Sequence, residues 1–197
     1  RRHNITNSQI HPELKFFGII IREFWPCFSE NKLKFCDFFL RRIAKMLFRT
    51  KHAECNNIYI KRKDGSKLRI CVYIPKNKKM NAPGLFWIHG GGYALSMPEQ
   101  DCHYFDNFIS EFGCVIFSPD YRTSVESPYP ASFDDCYDAL LWMKNHSKEY
   151  GFREDQIFIG GDSAGGGLSI ALTLFARDKK EVSIAFQMPI FPMMDDR

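Results

Sequence analysis

Eight residues, Gly160-Gly161-Asp162-Ser163-Ala164-Gly165-Gly166-Gly167, restrict what this chain can fold into more than any other stretch. They lie between a short apolar run, Gln156 to Ile159, that reads as a strand and a helical stretch over about Ala164 to Asp178. Gly161 to Gly165 spell G-x-S-x-G. A serine held on a sharp strand-to-helix turn needs bare backbone on either side, because side chains at Gly161 and Gly165 would collide with neighbouring backbone. Such a turn lifts the Ser163 hydroxyl out of the sheet. It also puts Ser163 at a helix N-terminus, where the dipole favours a developing alkoxide. A glycine-rich loop can instead cradle phosphate, but that pattern wants a Lys followed by Ser or Thr, and neither is present.

The rest of the chain supplies the sheet this turn requires. Asn57 to Arg62 and Lys67 to Ile74 alternate around Asp64-Gly65, a hairpin turn. Gly84 to His89 and Cys114 to Phe117 are continuous apolar runs of the kind buried on both faces. Helices are predicted over about Gln100 to Phe112, stopped by Gly113, and Ala131 to Tyr150, stopped by Gly151; Val182 to Gln187 reads as a further strand. Strands and helices in alternation mean right-handed crossovers and a mostly parallel sheet with helices on both faces, an α/β fold. Ligands then bind beyond the carboxyl ends of the strands.

A second strand end carries a matching motif, His89-Gly90-Gly91-Gly92, 74 residues before Ser163. Consecutive glycines let backbone N–H groups approach a small reacting oxygen. Those of Gly91 and Gly92, with that of Ala164, suit an oxyanion hole. His89 precedes the serine, whereas the base of such folds follows it, so its expected task is to hold the glycine loop.

With both motifs in place, about 140 residues, Ile58 to Arg197, resemble the hormone-sensitive-lipase-like branch of the α/β hydrolases. The resemblance rests on His89 to Gly92, Asp120-Tyr121-Arg122, Tyr129-Pro130-Ala131, the Gly161 to Gly166 elbow and the stretch Pro189 to Arg197. It implies an α/β-hydrolase fold and hydrolysis of small-molecule carboxylic esters by acyl transfer through Ser163. Asp162 occupies a position that takes Asp or Glu in the family and reads as support for the elbow. Asp120, Arg122 and Asp135 read as structural polar contacts. Residues 1–52 stand where this branch carries an N-terminal helical cap, and 53–197 as a partial hydrolase domain lacking its last strands. The triad Asp and His are expected downstream of Arg197: none of the six histidines follows Ser163, and Asp195 and Asp196 match the post-strand motif rather than the triad acid. A non-catalytic ligand-binding module on the same fold, as in the plant gibberellin receptors, is the alternative.

Charge is unevenly spread, with 19 basic and 6 acidic residues in 1–80 against 8 and 17 in the remainder. No nucleic-acid-binding motif accompanies the basic part, so a solvated face docking on the acidic remainder is expected, and no nucleic-acid partner. Within it, Leu33, Cys36, Phe39, Leu40, Ile43 and Leu47 recur at helical spacing, with Arg41, Arg42, Lys45 and Arg49 between them. That helix, part of a helical stretch over residues 10–50, is expected to pack its apolar face on its own domain. The seven cysteines contain no CxxC pair, which argues against a zinc site or a disulfide framework and for a reducing, cytoplasmic setting. The run Phe16 to Ile21 is too short to span a bilayer. No cofactor or metal is called for, and self-association into a homo-oligomer stays open.

Overall fold

A computed structural model describes residues 6–16, 18–19, 29–77, 79 and 81–195. Six strands form one sheet in the order β1-β2-β4-β3-β5-β6. They are β1 (Ala53–Lys61), β2 (Lys67–Pro75), β3 (Ala82–Ile88), β4 (Val115–Asp120), β5 (Phe152–Asp162) and β6 (Phe186–Ile190). β1 and β2 are an antiparallel hairpin, and β2 pairs antiparallel with β4. From β4 through β3 and β5 to β6 all pairings are parallel. The hairpin turns where Asp64-Gly65 stands: Gly65 takes φ +87°, and Asp64 Oδ1 accepts the Ser66 N–H at 2.9 Å.

Alternate residues of each inner strand feed different cores, which explains why these strands read as unbroken apolar runs. Leu68, Ile70, Val72, Phe86, Ile88 and Phe117 face helices α3 (Ala131–Asn145) and α5 (Ala164–Lys179). Cys71, Tyr73, Leu85, Trp87 and Ile116 face α2 (Cys102–Phe112), which contributes Cys102, Phe105 and Ile109. Gly113 and Gly151 stop their helices in the left-handed conformation, at φ +67° and +69°.

Two boundaries differ clearly from expectation. The helix predicted over Ala131 to Tyr150 breaks at His146, whose Nδ1 bonds the Trp142 carbonyl at 2.7 Å; a short α4 (Ser147–Tyr150) follows. The last strand is Phe186–Ile190 rather than Val182 to Gln187. Val182 is instead buried in the core beside α5, and the strand runs through Pro189.

The N-terminal part departs most. Short 3₁₀ turns at Asn7–Gln9 and Pro12–Leu14 precede α1 (Glu30–Leu47); the helical expectation over 20–28 lies outside the described residues. Most of the apolar face of α1 does not pack inward; of its stripe only Leu33 and Cys36 are half-buried. Phe39, Leu40, Ile43 and Leu47 are exposed, and it is Asp37 that is buried. Arg41, expected on the solvated face, points at the sheet and pairs with Asp120 at 2.8 Å. The interior under α1 is occupied by charged partners rather than by an apolar surface, so complementary charge sets the helix's rotation. No helix among the described residues is long and apolar enough to cross a membrane.

Candidate active site

The connection from β3 leads to β4 on one side, and β5 enters on the other side of β3. The carboxyl ends of β3 and β5 are therefore a topological switch point, the place where open α/β sheets bind ligands. Trp87 is level with Gly160 and Ile88 with Gly161. That register sets the His89–Gly92 loop beside the Ser163 turn.

Ser163 stands between β5 and α5 with φ +50° and ψ −114°, a strained backbone for any residue with a Cβ. The surroundings hold it there. Its N–H donates to Ile190 O at 2.9 Å, and its carbonyl accepts from Gly167 N at 3.1 Å and Met193 N at 2.9 Å. The glycines on either side are required by close approach. A Cβ on Gly161 would lie 2.4 Å from Ile88 O, and one on Gly165 only 2.0 Å from the same oxygen. Strand end, turn and helix start thus meet backbone to backbone. Ala164, the first residue of α5, is fully buried, and its N–H is among those of the first turn that the helix leaves without an internal partner.

The glycine loop is tied to the turn by Asp162, whose Oδ1 accepts the Gly90 N–H at 2.7 Å. Burial raises the Asp162 carboxyl, while that N–H pulls it down. His89 is fully buried, its ring stacked on Tyr121 at 4.2 Å. His89 Nδ1 meets Gly90 O at 2.8 Å, and Tyr121 Oη donates to His89 O at 2.9 Å. Burial pushes its pKa down to about 4, so at neutral pH it is uncharged and braces the loop. Gly91 and Gly92 follow at φ +119° and +63°.

Asp120 is paired with Arg41 and Arg69, and Asp135 is gripped by Arg62 and Arg122 at 2.8 Å each. Two charged residues near the site escaped sequence reasoning. Asp101, buried under the sheet, accepts the Trp87 Nε1–H at 2.8 Å. Burial foremost, and then the nearby Asp162 charge, pushes its pKa up to about 8. Asp37 is the other; its i,i+4 spacing to Arg41 was legible, but its inward orientation was not. Among the described residues no group of three or more His, Cys, Asp or Glu side chains is placed to hold a metal ion. Asp196 and Arg197, at the end of the Pro189 stretch, lie outside the described residues.

A family model described as the alpha/beta hydrolase fold matches residues 85–197. The chain belongs to the alpha/beta hydrolase fold family. It is similar to an arylesterase of Saccharolobus solfataricus, 31% identical over 152 residues that make up 77% of this chain and 49% of that protein. Over 89 residues it is 37% identical to the hormone-sensitive lipase of Mus musculus, covering 45% of this chain and 12% of that one. In three dimensions it superposes on a bacterial heroin esterase with a TM-score of 0.80 at 29% identity, covering 98% of this chain and 61% of that one. These relatives agree with the resemblance to the hormone-sensitive-lipase-like branch. The chain spans about half the length of the arylesterase it matches.

Proposed function

We propose that the protein is a serine carboxylic-ester hydrolase acting by acyl transfer through Ser163 on small-molecule esters. The strained Ser163 backbone at a strand-to-helix turn, beside a glycine loop at the topological switch point, carries this reading. Ser163 Oγ attacks the ester carbonyl and its proton passes to a base. The oxygen that gains charge is met by the N–H groups of Gly91, Gly92 and Ala164, and the alkoxide leaves with a proton from the same base. Water then attacks the acyl-serine and restores Ser163. Relatives named as esterases and a lipase support the chemistry.

The base is expected from residues after Arg197. No histidine follows Ser163 in this sequence, and His89 is neutral, buried and committed to Gly90. Residues 1–52 form the cap side of the site and 53–197 the hydrolase domain. A cytoplasmic location fits the six cysteines described, all free; self-association belongs to the same proposal. The test is fluorophosphonate labelling and hydrolysis of p-nitrophenyl butyrate by the full-length gene product. Labelling at Ser163 and hydrolysis abolished by Ser163→Ala are expected, with neither from residues 1–197 alone. Absence of Ser163 labelling in the full-length protein would leave a ligand-binding module in its place.

A further inference from the structure

The loop that carries Gly91 and Gly92 is strained along its length. Four of its six residues, Gly91, Gly92, Tyr93 and Ser96, have positive φ, and for Tyr93 and Ser96, at +59° and +93°, that conformation is unfavourable. Such a run persists only where its surroundings over-determine it. Part of the support is internal: the N–H groups of Ala94 and Leu95 donate to Gly91 O at 3.1 and 3.0 Å. The remainder arrives from α1, more than fifty residues earlier in sequence. Asp37 Oδ1 accepts the Ser96 N–H at 2.9 Å, and Arg41 Nη2 donates to Ser96 O at 3.1 Å. Both backbone polar groups of the residue at φ +93° are thus taken by one turn of one helix, while its hydroxyl bonds Gln100 Oε1.

Ser96 in turn backs directly onto Gly91. A Cβ placed on Gly91 would fall 2.1 Å from Leu95 O and 2.8 Å from Ser96 Cβ. No slack separates the residue that α1 holds from Gly91. The helix side is equally firm. Arg41 Nε bonds Asp37 Oδ2 at 2.5 Å, and Arg41 Nη1 reaches both oxygens of Asp120 at 2.8 and 3.0 Å. Asp120 ends β4 and also pairs with Arg69 on β2. Burial works against charge at Asp120, yet the Arg41 and Arg69 guanidiniums hold its pKa below the usual carboxylate value. The clamp is therefore referred to the sheet, the frame that also carries Ser163.

We propose that Asp37 and Arg41 are positioning residues for the oxyanion loop: from α1 they hold the Ser96 peptide on both sides and so set the place of the Gly91 N–H. The inference rests on the reading of Gly91 as an oxyanion donor. It gives the N-terminal segment a part in the chemical step, separate from any part in covering the acyl group. An arginine anchoring α1 to the sheet would need only Asp120; the paired grip on the Ser96 backbone holds the loop itself.

The experiment uses the full-length gene product, with turnover expressed per serine titrated by fluorophosphonate, on p-nitrophenyl acetate, butyrate and octanoate. Arg41→Met and Asp37→Asn should lower kcat per titrated serine by roughly 10–100-fold, the scale of misplacing a reacting group by about an ångström. The factor should be the same for all three esters, with KM within about threefold. Phe39→Ala, on the exposed face of the same helix, should leave kcat within twofold. A purely structural role would reduce the number of titratable serines and the melting temperature but not turnover per serine. That result, or a loss that grows with acyl length, would overturn the proposal. Should Arg41→Met fail to fold, Arg41→Lys keeps a cation against Asp120 without the fork that reaches Ser96 O, and is read in the same way. If the unaltered protein is not labelled at Ser163, the underlying reading of the site fails first, and the two failures are thereby told apart.

Discussion

Two adjacent glycines with the same proposed task should respond differently to the same substitution. Both Gly91 and Gly92 stand at positive φ and both would present an N–H to the oxyanion. In Gly91→Ala the new Cβ would sit 2.1 Å from Leu95 O, where ordinary contact begins at 3.4 Å. The loop must therefore open by about 1.3 Å, against the hydrogen bonds that tie Leu95 and Ser96 in place. A displacement of that size at a group that meets the transition state costs on the order of 10² in rate. Total loss of one such donor costs about 10²–10³. In Gly92→Ala nothing lies within 4 Å of the new Cβ. At φ +63° the alanine pays only the left-handed backbone cost, about 1–2 kcal/mol of stability. The assay is kcat for p-nitrophenyl butyrate per titrated serine, alongside the urea midpoint, in the full-length protein. Gly91→Ala should lose roughly 100-fold in kcat and Gly92→Ala less than about fivefold. Equal losses would refute the steric argument, and no loss in either would remove the loop from the chemistry.

Gly165→Ala places a Cβ 2.0 Å from Ile88 O, whereas in Gly166→Ala the nearest atoms are at 3.1 Å. The first should melt well below the second, whose repacking costs about 1–3 kcal/mol at most. Asp135→Ala leaves Arg62 and Arg122 facing one another without their shared carboxylate, and should destabilise by about 3–5 kcal/mol in urea unfolding. Asp101 has a folded pKa of about 8 against 3.8 in the reference state, so the folded protein retains a proton that the unfolded chain releases. Its contribution is complete below about pH 4 and is lost as pH rises to about 8, a decline on the order of a few kcal/mol. Asp101→Asn, which keeps an acceptor for Trp87, should flatten that decline; an unchanged slope between pH 5 and 8 would show that Asp101 is not the group responsible.

Local chemistry was enough to read the turn at Ser163, the glycine loop, the hairpin at Asp64-Gly65 and the alternation of buried strands with helices. Each of these depends on residues close in sequence: a glycine where a Cβ meets backbone, an apolar run long enough for one strand, a stop at Gly113 or Gly151. Helix α1 shows where local pattern ran out. Its sequence presents an apolar stripe and interleaved arginines, and periodicity assigns the stripe to the core. Only in the folded protein does Arg41 find Asp120, 79 residues away, together with the Ser96 carbonyl, while Asp37 takes the Ser96 N–H, and charged residues with so many partners outweigh the burial of Phe39 or Ile43. The same holds for Asp101, an ordinary carboxylate in sequence, whose proton affinity is set by its burial beside Trp87 and by the nearby Asp162. Pattern in a sequence reports which surfaces a segment offers. Which surface is taken depends on what the distant chain brings to meet it, and for charged groups that meeting exists only once water has been excluded by the tertiary structure.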